Sequence, residues 1–382
     1  MKKKIAFTFP HLHAFGGGEI FCEYLTNYLI NYFNIDLYYY RSNKINSKIK
    51  FDRKINIIAV KSSSIIVDFF CKNYIFLGHL YLLYILNKKK YHFIFSGAGE
   101  FFHKTKCFQY IHHPFYSLNI SHYLSLGLKK KHIFKIILRF FVSLIARTII
   151  FINNKNYKKT VTIVNSSFIN NRFTNIYKKK LPKPKIIYPT FKIPKPIKEN
   201  FTQFEKRKND FIILGRVSRD KNTLEAVNFF IEFKKNFENL NLGNLHIIGP
   251  IEKNIQNKVK AIGISNKDCF FHGYLSLDKR DKILKQSKYG IHFFRGEHFG
   301  RSVLEMQKLG MIVFCHNSGG AMEIVASNLQ KFNSEHDLEE KVKLVLLKID
   351  LRKKIKKMIS VKIKKFSDEK FKKDIIKLLQ YG

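Results

Sequence analysis

The chain has 382 residues and enough apolar content for two domains with their own cores, which excludes a disordered or fibrous protein. Its formal net charge is +42 at pH 7, and a charge of this size favours approach to polyanions, either nucleic acid or an anionic membrane surface. The basic residues are mostly lysine and accompany abundant Ile, Asn, Phe and Tyr. Codon bias in an AT-rich genome is therefore an equal explanation of the charge.

The N-terminus has a basic start and a short apolar run that Pro10 interrupts, so a first β-strand is predicted rather than a signal peptide. The five cysteines are widely separated and form no C-x-x-C pair, which is typical of reduced core residues in a cytosolic protein. The apolar stretches 62–87 and 132–152 contain charged residues, which disfavours a membrane-spanning helix.

The stretch 132–152 has a polar stripe that recurs at every fourth residue. The stripe consists of Lys135, Arg139, Ser143 and Arg147. Residues at this spacing stay on one side of a helix, and the remaining positions are mostly apolar. The pattern predicts either a buried domain helix or a helix that lies in a membrane interface.

The first half of the chain alternates short apolar runs with helical patterns. Strands are predicted at Ile5–Phe9, Ile35–Tyr40, Ile55–Val60, Phe93–Ser96, Phe108–His112, Val161–Asn165 and Ile186–Tyr188. A helix is predicted at Glu19–Phe33, between the first two strands. This alternation predicts a parallel sheet covered by helices on both faces.

A second alternating series follows a polar, proline-containing segment. Its strands are predicted around 211–214, 245–250, 270–274, 289–294 and 311–315, with helices at Leu224–Phe237 and Leu277–Gln286. Acidic residues early and lysines late in 367–379 predict a final helix. We therefore predict an α/β protein with a first domain at 1–189, a linker at 190–209, a second domain at 210–365 and a terminal helix at 366–382. Two open α/β domains in succession predict a ligand cleft between them.

Three glycines directly follow the first predicted strand, in the segment Phe15-Gly-Gly-Gly-Glu19. Glycine lets a backbone approach a ligand closely, so the amides of Gly17 and Gly18 are candidates for binding a diphosphate. The segment lacks the G-x-G-x-x-G spacing of a dinucleotide site. A flexible turn without a ligand is the alternative.

Two cations emerge where the first strand of the second domain ends. Arg216 and Lys221 lie in the segment 215–222, where they are suited to neutralise a diphosphate leaving group. A basic surface loop is the alternative. In the first domain, His112 and His113 end a strand before Pro114. Neighbouring side chains on a strand diverge, so this pair is a poor metal site, and one histidine is either a sugar ligand or a capped loop residue.

Glu297 and Glu305 lie eight residues apart around a Phe-Gly-Arg-Ser turn that predicts a helix start. A helix N-terminus attracts phosphate through its free N–H groups and its dipole, and Arg301 adds a forked cation. Carboxylates accept paired hydrogen bonds from vicinal hydroxyls, so the spacing suits a sugar nucleotide, with Glu297 at the donor sugar and Glu305 at the ribose. A solvated acidic loop followed by an ordinary amphipathic helix is the alternative.

Together these segments resemble family 4 of the retaining glycosyltransferases, which share the two-Rossmann-domain architecture called GT-B. The matching motifs occur in the order Gly16-Gly-Gly-Glu19, Tyr110-Ile-His-His-Pro114, Val164-Asn-Ser-Ser167, Gly215-Arg216 with Lys221, Glu297-x7-Glu305 and Asn317-Ser-Gly-Gly320. Within the family, they look most like the dolichol-linked α-1,2-mannosyltransferases that use GDP-mannose. The resemblance implies two Rossmann-like domains that face a central cleft, with the C-terminal helix returning to the first domain.

The resemblance also implies roles for individual residues. Arg216 and Lys221 are implied to contact the donor diphosphate, and Glu305 the ribose. The donor sugar is implied to lie beside Glu297 and His112. The remaining donor-binding positions are Gly17, Gly18, Tyr274, Leu275, Phe299, Gly300, Arg301 and Ser302. Tyr274 and Leu275 belong to the loop that brackets the nucleotide base.

The chain departs from the family pattern in three respects. We expect no N-terminal membrane anchor of the kind that the eukaryotic relatives carry. Asn222 stands where a glycine usually follows the lysine, and Ala321-Met322 replaces a Pro-Lys pair. These departures bear on the donor and acceptor more than on the class of reaction.

We therefore predict a retaining, metal-independent hexosyltransferase that uses a GDP- or UDP-linked sugar, mannose being favoured, and needs no other cofactor. The acceptor is predicted to be a glycan or lipid-linked glycan, and the location cytoplasmic or peripheral on the cytoplasmic face of an anionic membrane. Alternatives are a UDP-sugar-dependent glucosyl- or galactosyltransferase of the same fold, a sugar-nucleotide-binding protein without catalysis and a basic nucleic-acid-binding protein. No nucleic-acid partner is expected, because charge alone supports one. Substituting Glu305 or Arg216 by alanine is predicted to weaken donor binding without unfolding the protein.

Overall fold

The computed structural model describes residues 2–13, 16–41, 44–114, 159–177 and 181–381, and also 137, 140, 141, 144, 145 and 148. The chain divides into two compact units. The first unit comprises Met1–Lys192 and Phe371–Gly382, and the second comprises Ile193–Lys370.

The first unit is built on a parallel sheet. Its strands are β1 (Lys4–Thr8), β2 (Asn34–Tyr40), β3 (Asn56–Val60), β4 (Ile94–Ser96), β5 (Cys107–Ile111), β6 (Thr160–Val164) and β7 (Lys185–Ile186). They lie in the order β3-β2-β1-β4-β5-β6-β7, and each neighbouring pair is parallel. The predicted strands are confirmed, with ends shifted by a residue or so.

The second unit contains the other parallel sheet. Its strands are β8 (Lys208–Leu214), β9 (Leu245–Ile248), β10 (Cys269–Gly273), β11 (Ser287–His292), β12 (Ile312–His316) and β13 (Lys331–Phe332). Their order is β10-β9-β8-β11-β12-β13. The five predicted strands are again confirmed, while the short edge strand β13 was not foreseen.

Helices cover these sheets. Within the ranges 2–114, 159–177 and 181–381, the described α-helices are α1 (Gly17–Leu29), α2 (Ile65–Asn73), α3 (Ile75–Leu86), α4 (Ser167–Tyr177), α5 (Phe201–Glu205), α6 (Thr223–Asn236), α7 (Gln256–Ser265), α8 (Leu277–Gln286), α9 (Arg301–Lys308), α10 (Glu335–Leu347), α11 (Ile349–Lys362) and α12 (Asp368–Tyr381). Short 3-10 turns lie at Glu238–Leu240, Lys253–Ile255, Gly320–Glu323, Asn328–Gln330 and Ile363–Phe366. Both units therefore have the alternating α/β architecture that the sequence predicts.

The C-terminal helix α12 belongs to the core of the first unit. Phe371, Ile375, Leu378 and Leu379 are buried there among apolar residues of β1, β2 and α1. The ring centroids of Phe371 and Phe21 are 6.2 Å apart. Burial of four large apolar side chains explains why the end of the chain joins the unit in which the chain begins.

Residues 190–209, predicted as a linker, contain regular structure. Helix α5 starts after Asn200, whose side chain accepts a hydrogen bond from the Gln203 N–H at 2.8 Å. Phe204 is fully buried. Strand β8 already begins at Lys208. Contacts assign the chain from Ile193 onwards to the second unit.

Of the two apolar stretches, the structure describes the first in full and the second only in part. Residues 62–87 contain α2 and α3, with Tyr74 between them in an extended conformation. The striped stretch 132–152, with Lys135, Arg139, Ser143 and Arg147, lies largely outside the described residues, and all four of these positions fall there. In the described ranges no helix combines the length and the apolar character that crossing a membrane requires.

Candidate functional site

The candidate site lies where the order of the second sheet reverses. Strand β8 pairs in parallel with β9 on one side and with β11 on the other. The carboxyl ends of two such strands leave a crevice, which is the usual ligand position in an open α/β sheet. A cavity of about 70 Å³ lies there, and its lining includes Arg216, Lys221, His292, Glu297 and Ser302. Four of these five residues are predicted from sequence; His292 is not.

Lys221 and Glu297 form the central ion pair of this cavity. The Lys221 Nζ donates a hydrogen bond to the Glu297 Oε2 at 3.1 Å. The same Nζ lies 3.6 Å from the centroid of the Phe294 ring, a cation–π contact. The two side chains are 27% and 17% exposed, so solvent screens their attraction only in part. The pair places a cation and a carboxylate side by side on the cavity wall.

Glu297 is held as a carboxylate. Burial by itself raises its pKa, but the neighbouring His292 and the charge of Lys221 outweigh burial and bring the pKa well below its ordinary value. The His292 Nε2 lies 3.5 Å from the Glu297 Oε2. The backbone N–H of His298 donates to the other oxygen, Oε1, at 3.1 Å. A carboxylate that stays ionised accepts hydrogen bonds, as binding of sugar hydroxyls requires.

The double glycine at 319–320 fixes the backbone of this glutamate. The Gly320 N–H donates to the Glu297 carbonyl oxygen at 2.5 Å. Gly319 has a φ of +80°, and a Cβ there would collide with the Glu297 backbone. The Ser318 Oγ accepts a hydrogen bond from the Gly296 N–H at 2.9 Å. The Asn-Ser-Gly-Gly motif thus supports the glutamate motif through backbone contact that side chains would prevent.

Helix α9 begins at the cavity. Gly300 precedes it with a φ of +99°, and a Cβ there would lie 2.8 Å from the Cα of Ala321. Glycine is therefore required for the turn that starts the helix. Ser302, in the first turn, lines the cavity. The free N–H groups of this first turn make it suited to phosphate oxygens.

Arg216 lines the same cavity, but its guanidinium is engaged by acids. Its Nη1 donates to Glu252 at 2.8 Å and its Nη2 to Asp220 at 2.9 Å. The side chain is 49% exposed. A diphosphate that binds Arg216 has to compete with these two surface carboxylates. Lys221 lines the same cavity and pairs there with Glu297.

Glu305 lies in a separate buried cluster. Its Oε1 accepts a hydrogen bond from the Arg301 Nε at 2.7 Å, and its Oε2 accepts one from the Arg280 Nη1 at 3.0 Å. Its side chain is only 6% exposed. Arg280, which sequence reasoning missed, comes from α8 and also pairs with Asp281 at 2.7 Å. Only the folded chain brings this arginine, 25 positions from Glu305, to the carboxylate.

The backbone conformation of Asn222 explains why asparagine can stand where the family usually has glycine. Its φ is +53°, in the left-handed region, where glycine is the least strained residue and asparagine among the best tolerated of the others. Its side chain donates to the Glu225 Oε2 at 2.5 Å at the start of α6. The replacement therefore keeps the turn that carries Lys221.

Three other predicted donor-binding residues lie outside this cavity lining. Tyr274 and Leu275 follow the edge strand β10, after Gly273 with its φ of +63°. Tyr274 is 61% exposed. The Phe299 side chain is buried, with its ring centroid 6.1 Å from that of Phe366, so this residue has its backbone rather than its ring to offer a ligand.

The first unit holds the remaining predicted residues. Gly17 opens α1, and a Cβ built on it meets no atom within 4 Å, so its backbone is accessible. At Gly18 a Cβ would lie 3.1 Å from the Phe9 ring. His112 follows β5, and its ring centroid lies 4.6 Å from that of Phe21. The glycine turn and the histidine thus lie just beyond the carboxyl ends of β1 and β5.

Comparison with known proteins finds a family model that matches part of the second unit. Residues 194–360 match the family model described as "Glycosyl transferases group 1". A GDP-Man:Man(3)GlcNAc(2)-PP-Dol alpha-1,2-mannosyltransferase from Candida glabrata is 25% identical over 172 residues, which is 42% of this chain and 34% of that protein. The Homo sapiens protein of the same name is 31% identical over 104 residues, 25% of this chain and 21% of that protein. The chain thus spans about a third or less of the length of these curated relatives.

Solved structures share the fold. Anabaena HepE, solved in complex with UDP and glucose, matches with a TM-score of 0.67 and 14% identity over 100% of both chains. At this identity the similarity shows the fold alone, which is the GT-B arrangement of two Rossmann-like domains.

Proposed function

We propose that this protein transfers a hexose from a nucleoside diphosphate sugar to a glycan or lipid-linked glycan, because residues 194–360 match the family model of the group 1 glycosyl transferases. The observation that carries the proposal is the cavity at the ends of β8 and β11, where the Lys221–Glu297 pair meets the first turn of α9. The cation and the helix N-terminus are suited to bind a diphosphate, and the carboxylate is suited to accept hydrogen bonds from the hydroxyls of the attached sugar.

In the proposed reaction the carboxylate, the cation and the helix N-terminus have separate roles. Glu297 accepts hydrogen bonds from the donor sugar, and Lys221 lies where negative charge develops on the departing diphosphate. The N–H groups of the first turn of α9 add fixed partial positive charge. In the retaining reaction that we propose, the acceptor hydroxyl attacks the anomeric carbon from the face that the diphosphate leaves.

We propose Glu305 as the ribose ligand. Each carboxylate oxygen has two lone pairs, so Glu305 accepts from Arg280 and Arg301 and still has lone pairs for vicinal hydroxyls. Arg280 then acts as a positioning residue, because it fixes the direction in which the carboxylate points. Proposed roles for Gly17, Gly18 and His112 in the first unit rest on the matching motifs.

The donor is proposed to be GDP-mannose, with a UDP-linked hexose as the alternative, in cell-surface polysaccharide or glycolipid synthesis. The support is the name of the relatives from Candida glabrata and Homo sapiens. HepE, by contrast, was solved with UDP and glucose.

Thermal denaturation with a panel of GDP- and UDP-sugars tests this proposal. A donor at 100 times its Kd stabilises the native state by about 2.7 kcal/mol, which raises the melting temperature. Since GDP-mannose is the proposed donor, the largest rise is expected with GDP-mannose. Free GDP and free UDP are the controls for the base, and turnover with added EDTA tests independence from a metal ion. Absence of a shift with every sugar nucleotide in the panel would contradict the proposal; a shift only with a UDP-sugar would favour the alternative donor.

We also propose peripheral association with an anionic membrane, through α2 of the first unit. Helix α2 presents Ile65, Ile66 and Phe69 to solvent, with exposed fractions of 86%, 70% and 60%. Its acid is turned inward: Asp68 is buried and accepts a hydrogen bond from Tyr40 at 2.7 Å. A helix with apolar residues outward is suited to an interface between lipid and water.

Flotation with anionic vesicles measures this association. The triple substitution Ile65→Gln, Ile66→Gln, Phe69→Gln is expected to weaken binding at least roughly tenfold, because it removes the apolar area that would be buried in lipid. The matched control replaces the exposed residues Ile264, Leu347 and Val361 by glutamine and should retain binding. Equal loss in both variants, or no binding of the unmodified protein at low salt, would refute the role of α2.

A further inference from the structure

Arg207 joins the ends of two helices of the second unit. Its side chain is only 5% exposed. Its Nη2 donates a hydrogen bond to the Leu309 carbonyl oxygen at 2.9 Å, and its Nη1 donates to the carbonyl oxygens of Ser287 at 3.1 Å and Leu284 at 3.5 Å. Leu284 and Ser287 lie at the end of α8, and Leu309 lies at the end of α9. The last carbonyl groups of a helix lack a regular partner within it, so one buried guanidinium satisfies carbonyl groups of both helices.

The same two helices carry the carboxylate that we propose as the ribose ligand. Arg280 of α8 donates to Glu305 of α9 at 3.0 Å. Leu284 follows Arg280 by four positions and Leu309 follows Glu305 by four, which is about one helical turn in each case. Arg207 therefore forms a second link between α8 and α9, one turn nearer their C-termini than the Arg280–Glu305 bond. This link holds the position of one helix along the other, and that position decides how Arg280 meets Glu305.

The surroundings of Arg207 fix the direction of its guanidinium. The Arg207 Nε donates to the Glu199 Oε1 at 2.7 Å, and the Glu199 Oε2 accepts from the Lys356 Nζ at 3.1 Å. Gly310 has a φ of +89°, and a Cβ there would lie 2.6 Å from the Arg207 Nη2 and 2.8 Å from the Glu199 Oε2. Glycine is therefore required where the guanidinium reaches the Leu309 carbonyl group. A planar fork that is bonded at Nε, Nη1 and Nη2 has one orientation.

We propose that Arg207 is a positioning residue for the ribose of the donor. Arg207 does not line the cavity at Lys221, so it acts through α8 and α9 rather than by contact with the donor. By holding the two helix ends together, it keeps Arg280 in the place from which it directs the Glu305 carboxylate. This inference rests on the proposed role of Glu305 as the ribose ligand.

Calorimetric titration of the whole protein with GDP, with UDP and with the 2′,3′-dideoxy form of each tests this role. The ratio between the affinity of a diphosphate and that of its dideoxy form measures the contribution of the two ribose hydroxyls. In the unmodified protein this ratio is expected to be roughly tenfold or more, because a charged group accepts the hydrogen bonds.

Arg207→Met is expected to bring this ratio below roughly threefold, because a small displacement of a binding group removes much of its effect. The affinity of the dideoxy form should change little. Glu199 keeps Lys356 as its cationic partner in this variant, which limits the loss of stability. Arg207→Lys keeps the charge, but a single ammonium replaces the fork, so this variant should also lose most of the ratio.

Arg352→Met is the matched control. Arg352 is also a buried arginine of the second unit, with its side chain 11% exposed and paired with Glu205 at 2.9 Å. It also caps a helix, because its Nη1 donates to the carbonyl oxygens of Val345 at 3.0 Å and Leu346 at 2.6 Å at the end of α10. The melting temperature should fall in this variant as it does in Arg207→Met. The ratio should stay unchanged, because α10 carries no residue of the proposed site.

A double substitution tests whether Arg207 acts through Glu305. In a protein that already carries Glu305→Gln, adding Arg207→Met should change the ratio less than roughly twofold, because the group that Arg207 positions is already lost. An unchanged ratio in Arg207→Met, a full ratio in Arg207→Lys or an equal loss in Arg352→Met would overturn the inference alone. A ratio of one in the unmodified protein would instead refute the proposed role of Glu305, and this inference with it.

Discussion

Lys221→Met is expected to lower kcat/KM for sugar transfer by on the order of 100–1000-fold, the effect of removing one preorganised group that stabilises developing negative charge. Lys221 lies 3.1 Å from Glu297 and lines the cavity with Ser302. Methionine keeps the length and apolar stem of the side chain but carries no charge. Steady-state transfer assays across donor concentrations measure the effect.

The same substitution changes Glu297. The positive charge of Lys221 contributes to the low pKa of this carboxyl group, so the pKa rises when the charge is removed. The neighbouring His292, whose Nε2 lies 3.5 Å from the carboxylate, keeps part of the lowering of the pKa. The loss of activity in Lys221→Met should therefore be greatest at acidic pH, where a larger fraction of Glu297 becomes protonated.

Lys234→Met is the matched control. Lys234 also belongs to the second unit and also pairs with an acid, Asp268, at 3.0 Å. This pair does not line the cavity that contains Lys221. Turnover in Lys234→Met should stay within a factor of two or so of the unmodified protein, because an exposed ion pair contributes little. If Lys221→Met retains comparable turnover, Lys221 does not act on the diphosphate.

Glu305→Ala is expected both to abolish measurable donor binding and to destabilise the second unit. Removing one partner from a buried ion pair costs on the order of 3 kcal/mol, because the charges that remain lose their compensation. Here the substitution deprives Arg280 and Arg301 of a carboxylate that is 6% exposed. The melting temperature is expected to fall by roughly 6–12 °C, as calorimetry would measure. The sequence predicts that this variant weakens donor binding without unfolding the protein, and the structure adds a lower melting temperature to that expectation.

A second variant separates the two effects. Glu305→Gln retains the shape and two hydrogen-bond acceptor sites, so it should fold more stably than Glu305→Ala while donor affinity still falls, because a neutral amide accepts more weakly than a carboxylate. Glu340→Ala, which removes an exposed partner of Lys343, serves as the control for stability. Donor affinity in Glu305→Gln equal to that of the unmodified protein would argue that Glu305 is structural only.

Much of the fold is predictable from local pattern. Apolar runs such as 211–214 and 289–294 form strands because residues buried on both faces of a parallel sheet leave a nearly continuous apolar sequence. Helix α8 has the predicted bounds, Leu277–Gln286. The short strand β13 was missed because two residues carry no periodicity.

The candidate site is predictable in part, and the reason differs from residue to residue. Glu297 and Lys221 belong to motifs with recognisable neighbours, so each is found separately. Their distance of 3.1 Å is a property of the fold, because it depends on which strands are neighbours in the sheet. His292 and Arg280 belong to no motif, and only their contacts with the two glutamates identify them.

The sequence by itself determined the two α/β series, the family resemblance and the candidate residues, because these properties are written in local spacing and residue type. The tertiary structure alone decided how these residues are combined. It placed Lys221 and Glu297 together at the point where the sheet order reverses, and it enclosed Glu305 between two arginines. Such contacts join residues that are distant in the chain, and they are fixed by strand order and packing, which no local pattern encodes.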